Sequence, residues 1–233
     1  MIYKVSTNIK NIKANLKLPA SKSISNRALI INALSYSPFP VGNLSDSDDT
    51  RVLEAALYSN SNKFDIGHAG TAMRFLTAFL SKIVGEWEIT GSERMQQRPI
   101  KILVDALTQL GARIEYMKNE GFPPLKVYGS HLKGKEIELD GSISSQYISA
   151  LLLIAPTIKN GLTLKLKGNI TSKSYIKLTL ELMAKFGIRY EWNDAKIFVP
   201  EQDYMARDII CEADWSGASY WYEIMALADS GEI

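Results

Sequence analysis

The chain has 233 residues, 46% of them hydrophobic, which is enough for a substantial core and too apolar for a disordered segment. Its formal charge of +2, with lysine and arginine scattered, offers no basic face for nucleic acid, so any attraction for anions must be local. One cysteine, Cys211, excludes an internal disulfide framework, and the two histidines, His68 and His131, make no convincing metal site with it.

In chain order, Met1-Ile2-Tyr3-Lys4 begins no signal-peptide pattern. Ser21-Lys22-Ser23 opens an apolar helix that runs through Leu34. Residues 41–44 read as a short strand, and Ser47-Asp48-Asp49 caps a second helix over 50–59. Ala69-Gly70-Thr71 opens the next apolar helix, 72–81, and an alternating strand follows at 86–90. Ile100, Leu103, Val104, Leu107 and Leu110 recur at helical spacing and stop at Gly111. Strands are predicted at 112–117 and 125–128. The order then repeats. Ser144-Ser145-Gln146 opens a helix over 147–155, and a strand follows at 162–166. Ile176, Leu180, Met183 and Phe186 mark an amphipathic helix that stops at Gly187. Strands at 188–192 and 197–199, joined by Asn193-Asp194, close the copy. The longest apolar stretch, 148–156, is far below the ~20 residues of a membrane span. A cytoplasmic protein is expected, since the lone cysteine fits a reducing compartment, with neither membrane nor nucleic acid as partner.

The two copies lie 76 residues apart, as Gly111 and Gly187 do, and the same offset pairs Ile100-Lys101 with Ile176-Lys177 and Leu76 with Leu152. The segment before Ala69 reads as a degenerate third copy. The expected fold is α/β, with three βαβαββ-like units in one domain. After Pro200 the pattern changes. Residues 213–220 open a further apolar helix over 220–228, and the chain reaches Ile233 without the strands that followed earlier helices. That ending reads as a truncation or as the start of a further domain.

Each copy carries small residues at the same helix start. A helix N-terminus presents unpaired N–H groups and about half a positive charge. Small residues let an anion approach that backbone closely. Three related units would aim three such starts at one centre. Basic residues lie near each: Lys22 and Arg27, Arg74, and Lys173. The pattern points to a site for a phosphorylated or carboxylated small molecule. Taken singly, each feature has a plainer reading. Ser21 or Ser23 is an ordinary N-cap, Lys22 a solvated lysine and Gly70-Thr71 a turn. Residues 94–99 form a polar loop with Pro99 at a helix start, Tyr175 is half-buried packing and Asp214 is an N-cap. His68 is a hydrogen-bonded turn residue and Cys211 a small buried hydrophobe. No P-loop or dinucleotide fingerprint is present, and no cofactor is expected.

Together these residues form an ordered set. Leu18-Pro19-Ala20-Ser21-Lys22-Ser23-Ile24-Ser25-Asn26-Arg27-Ala28 resembles the opening motif of the 5-enolpyruvylshikimate-3-phosphate synthase family. Ala69-Gly70-Thr71-Ala72-Met73-Arg74, Arg94-Met95-Gln96-Gln97-Arg98-Pro99-Ile100 and Ser144-Ser145-Gln146-Tyr147 resemble its next three motifs. Ser172-Lys173-Ser174-Tyr175 and the run from Asp214 to Tyr220 fall in family order. The resemblance implies an enolpyruvyl transferase fold, an inside-out α/β barrel of two domains with the site between them. It assigns residues 1–20 to a strand of the second domain, 21–211 to the shikimate 3-phosphate-binding domain, and 212–233 to the crossover back into the second. It also implies transfer of the enolpyruvyl group of phosphoenolpyruvate to the 5-hydroxyl of shikimate 3-phosphate, in aromatic amino-acid biosynthesis, by a monomeric full-length protein.

By the same resemblance, Lys22, Ser23, Arg27, Ser144, Ser145, Gln146, Ser172 and Tyr175 hold shikimate 3-phosphate. Lys22, Gly70, Arg94 and Gln146 line the phosphoenolpyruvate side, where glyphosate also binds in this family, and Lys22 is the catalytic candidate. Asp49, Arg74 and Asp214 fall on positions that shape the cleft. The chain departs from the family in having His68 for an asparagine and Phe75 for a proline. The family's general base, acidic proton donor and phosphoenolpyruvate-gripping arginines lie in its C-terminal part and find no match, so the chain alone is expected to be inactive. A nucleotide-sugar enolpyruvyl transferase would carry Lys-Asn in the first motif and a reactive cysteine in a mobile loop, whereas this chain has Lys22-Ser23 and no cysteine before Cys211. A non-catalytic anion-binding module of the same fold is the remaining alternative.

Overall fold

A computed structural model describes residues 10–233, so the first part of the strand expected over 1–20 lies outside the described residues. The first unit contains β1 (Asn11–Lys13), α1 (Lys22–Leu34), β2 (Val41–Gly42) and α2 (Asp48–Leu57). The second contains β3 (Lys63–Asp65), α3 (Gly70–Lys82), β4 (Gly85–Thr90), α4 (Lys101–Gln109), β5 (Arg113–Tyr116) and β6 (Leu125–Gly129). The third contains β7 (Glu136–Asp140), α5 (Ser145–Ile154), β8 (Leu162–Lys167), α6 (Lys173–Lys185), β9 (Glu191–Asn193) and β10 (Lys196–Val199). The tail adds β11 (Ile209–Ile210), α7 (Trp215–Leu227) and β12 (Ser230–Glu232).

The second and third units have the same topology. Their sheets run β3-β4-β6-β5 and β7-β8-β10-β9. In each, the first two strands are parallel and joined across a helix, and the other pairings are antiparallel. Strands β3 and β7 were not anticipated from the sequence. β3 is only three residues long, whereas Glu136–Asp140 alternates exposed and buried and binds β8 in register, Ile137 opposite Leu164. The first unit is the degenerate one: it keeps both helices, and among the described residues its β2 pairs only with β11.

The helices α1, α3 and α5 are buried on nearly every side, which places them at the centre of the protein. They pack on one another, and the sheets and the outer helices α2, α4 and α6 cover them. In α5 Gln146 alone escapes full burial. The outer helices bury one stripe each, such as Leu103, Val104, Ala106 and Leu107 of α4. The predicted stops are left-handed turns: Gly111 has φ of +100° and Gly187 of +85°, values that cost a side chain dearly. The hairpin at β9–β10 turns one residue later than expected, on Asp194, whose φ is +50°.

The tail differs from expectation in one respect. A strand does follow α7: β12 runs parallel to β1, with Ile12 opposite Gly231. Its Ser-Gly-Glu sequence has no apolar alternation; backbone pairing holds it, helped by Ser230 donating to the Asn11 side chain and by Glu232 beside Lys13 at 3.6 Å. The chain thus closes its described ends on each other. Among the described residues no helix is long and apolar enough to cross a membrane.

Candidate active site

The shared order of the units places the starts of α1, α3 and α5 around one opening. A cavity of about 230 Å³ is lined by Lys22, Ser23, Asn26 and Arg27 of α1, Thr71 of α3, Ser144, Ser145 and Gln146 at the start of α5, and Tyr175 of α6. The Gln146 carboxamide reaches across and donates to the Thr71 hydroxyl at 3.3 Å, tying α5 to α3. Ser21 and Ser144 cap their helices through their side chains, accepting from the backbone N–H of Ile24 and Gln146.

Arg27 is the strongest electrostatic feature of this cavity. Only 3% of it is exposed, and no carboxylate among the described residues pairs with it. Its Nε donates to Thr179 Oγ1 at 2.7 Å, and its two terminal nitrogens donate to Ser23 O and Ser149 Oγ, each at 2.8 Å. The Thr179 hydroxyl in turn donates to the carbonyl of Tyr175 at 2.8 Å. The rings of Phe75 and Tyr175 lie 5.5 and 6.0 Å from the guanidinium carbon. Burial pushes the Arg27 pKa down to about 10, and Tyr175 opposes that shift. A cation held this way is desolvated and fixed by neutral partners, so an entering anion becomes its natural counter-charge.

The start of α3 differs from the other two. Its N-cap, Ala69, has no capping side chain, and Asp49 from the first turn of α2 supplies one. Asp49 Oδ1 accepts from the Thr71 N–H at 2.8 Å, and Oδ2 lies 3.9 Å from Lys22 Nζ. The amide of Thr71 is therefore already engaged by a carboxylate. An anion in this cavity is repelled from that edge and favoured on the side of α1 and α5.

A second cavity of about 260 Å³ is lined by His68, Arg94, Met95 and Arg98. It meets the first at the opening turn of α3. Thr71 lines the first cavity, and a Cβ at the preceding Gly70 would collide with the Arg98 guanidinium of the second. His68 Nδ1 lies 2.8 Å from the hydroxyl of Ser92. Beneath this turn Arg74, only 3% exposed, acts as a brace. It donates to Gly70 O at 3.1 Å and to Pro99 O at 3.0 Å, and Tyr147 donates to the same Pro99 carbonyl at 2.6 Å. One arginine thereby joins the first turn of α3, the 94–99 loop and α5.

Of the residues singled out from the sequence, Lys22, Ser23, Arg27, Ser144, Ser145, Gln146 and Tyr175 share the first cavity. Arg94 lines the second, and Gly70 lies beside it. Asp49 sits at the junction. Three others stand apart from both cavity walls. Arg74 is a buried brace. Ser172 is the N-cap of α6. Asp214 caps α7 by accepting from Ser216 N–H at 3.0 Å. Lys173, expected near the third helix start, lies over the ring of Trp192 at 5.4 Å instead. The sequence reading did not assign Asn26, Thr71, Met95 or Arg98, although all four stand inside the quoted motifs. What they lacked was any sign of which way each side chain turns.

A buried trio of helices with two cation-lined cavities at its open end defines an α/β domain of repeated units. The family model for EPSP synthase (3-phosphoshikimate 1-carboxyvinyltransferase) matches residues 6–59 and 54–233, and the chain belongs to that family. It is 58% identical to the 3-phosphoshikimate 1-carboxyvinyltransferase of Bacteroides fragilis (strain YCH46), across 95% of this chain and 54% of that protein. It is 41% identical to the protein of that name from Shewanella halifaxensis, across 97% of this chain and 59% of the other. The structure of EPSP synthase from Acinetobacter baumannii superposes with a TM-score of 0.84 at 20% identity, over 96% of this chain and 55% of that one, which shows the common fold. The chain spans about half the length of the curated relatives it matches.

Proposed function

We propose that this chain forms the shikimate 3-phosphate-binding half of an enzyme that transfers the enolpyruvyl group of phosphoenolpyruvate to the 5-hydroxyl of shikimate 3-phosphate, releasing phosphate. The observation that carries the proposal is the meeting of two cation-lined cavities at the first turn of α3. Joining two anions requires fixed positive charge to offset their repulsion, and it requires them to be adjacent. Shikimate 3-phosphate occupies the first cavity, held by Lys22, Ser23, Arg27, Ser144, Ser145, Gln146 and Tyr175, with Ser172, outside the cavity wall at the N-cap of α6, as a further contact. Phosphoenolpyruvate occupies the second, against Gly70 and Arg94, with Lys22 and Gln146 serving both.

In the reaction the 5-hydroxyl oxygen bonds to the enol carbon of phosphoenolpyruvate while the hydroxyl proton is lost and the methylene gains one. The resulting tetrahedral intermediate loses a methyl proton and expels phosphate. Lys22, half-exposed beside Asp49, stabilises developing negative charge and carries a proton. Residues 10–20 and 212–233, joined through β1 and β12, belong to a second domain that closes over the site and excludes water. The protein works in the cytoplasm.

Calorimetry tests the proposal. The 233-residue chain should release heat with shikimate 3-phosphate and saturate at one site per chain. No heat from folded protein contradicts it.

A further inference from the structure

Buried hydroxyls inside a helix commonly bond to the carbonyl four residues back. Thr77 and Ser81 of α3 do so, donating to Met73 O and Thr77 O at 2.7 Å each. Thr179 of α6 makes the same bond to Tyr175 O, but its oxygen has two further neighbours: Arg27 Nε at 2.7 Å and Ser149 Oγ of α5 at 2.9 Å. Thr179 and Ser149 are both 0% exposed, and neither belongs to the wall of the first cavity.

The protons of this cluster can be assigned one by one. Thr179 has a single hydroxyl proton, and Tyr175 O accepts it. Its oxygen is therefore an acceptor towards Arg27 Nε–H and towards Ser149. Ser149 donates to Thr179 and accepts from an Arg27 terminal nitrogen at 2.8 Å. Every bond runs one way, from the guanidinium through two hydroxyls to the Tyr175 carbonyl. Ser23 O accepts from the other terminal nitrogen. One N–H on each terminal nitrogen then has no partner among the described residues.

The seat is neutral throughout. A carboxylate at either hydroxyl position would cancel the charge of Arg27, and a ligand anion would have to displace it. Two hydroxyls fix the guanidinium plane without discharging it. The Phe75 ring, 1% exposed, lies 5.5 Å from the guanidinium carbon and leaves the charge equally free.

We infer that Thr179 and Ser149 are positioning residues for shikimate 3-phosphate: they touch no ligand, and they orient Arg27 with its charge intact so that its two remaining N–H groups meet the ligand's anionic group. This rests on the assignment of shikimate 3-phosphate to the first cavity. Because the bonds end on the carbonyl of Tyr175, whose side chain lines that cavity, one network fixes both residues.

Calorimetry with shikimate 3-phosphate on variants of the 233-residue chain tests the inference. Thr179→Val keeps the shape and removes the hydroxyl. It should weaken binding about tenfold, the loss expected for a hydrogen bond to a charged group. Thr179→Ser should restore most of that loss, and Ser149→Ala should weaken binding in the same direction. Arg27→Met leaves the two hydroxyls bonded to each other. In that background Thr179→Val should change binding by less than about twofold, because the group it acts through is gone. A general loosening of α6 would instead weaken binding equally in both backgrounds, and that result overturns the inference. Binding that Thr179→Val and Ser149→Ala both leave within about twofold of the wild type also overturns it, with the cavity assignment left standing. Should Thr179→Val fail to fold, Ser149→Ala decides by the same criteria. No heat from folded wild-type protein overturns the cavity assignment and the inference together.

Discussion

Arg27 shows how one residue can serve fold and function together. Its side chain is a crosspiece between α1, α5 and α6, through Ser23 O, Ser149 and Thr179. Its charge is nevertheless left without a carboxylate among the described residues. Replacing a buried ion by a different one removes geometry while keeping charge. In Arg27→Lys the ammonium can reach at most part of this set, and the neutral hydroxyls of Ser149 and Thr179 lose their donor. We expect about 2 kcal/mol or more of lost folding stability by urea titration, and about tenfold or more weaker binding of shikimate 3-phosphate by calorimetry. Binding within twofold of the wild type would remove Arg27 from the site. The residue types at such positions were legible from the sequence, because serine, lysine and arginine clustered at helix starts have few other uses in combination. Their orientations were not. Arg74, Arg94 and Arg98 stand in comparable motifs, yet one is a buried brace and two face a cavity. That difference depends on packing against Gly70, Tyr147 and Pro99 across long sequence separations.

At the scale of elements, the three inner helices are not equivalent. α1 and α5 carry their own serine caps, and α3 borrows Asp49 from α2. The borrowed cap ties the first unit to the second and places a negative charge between the two cavities. Asp49→Ala removes the acceptor for the Thr71 N–H and the ion-pair partner of Lys22. A lost N-cap costs about 1–2 kcal/mol, and we expect a loss of that order in urea. Shikimate 3-phosphate binding should survive if, as proposed, its anionic group lies towards α1 and α5. Unchanged stability would mean that α3 is not capped by Asp49. Helices were the elements best read from sequence, since their apolar repeats and glycine stops are strong local signals. Short strands were read less well. β12 is Ser-Gly-Glu and exists because a distant strand offers hydrogen bonds, not because its own residues favour extension; β11 is two isoleucines, which favour extension but are too few to give a periodic signal.

At the scale of the molecule, the repeat explains the site. Units of the same topology, packed about a common centre, bring equivalent points together, so one feature in each copy becomes a cluster. This is why a 76-residue offset visible in the sequence carried information about a binding site. Symmetry alone would give three identical helix starts around one cavity. The structure instead divides the space in two at α3, where Asp49 faces one side and Arg98 the other. The sequence could not show that division, because Gly70 and Thr71 are adjacent in the chain and only the packing of separate loops sends them to different cavities. On this account the site is an asymmetric pair of anion pockets made from a symmetric scaffold.

The most direct test is a crystal structure of the chain soaked with shikimate 3-phosphate. The account predicts the ligand between the first turns of α1, α3 and α5, with its phosphate on the side of α1 and α5 and away from Asp49. Ligand bound elsewhere, or contacts confined to a single helix start with Arg27 unengaged, would contradict it.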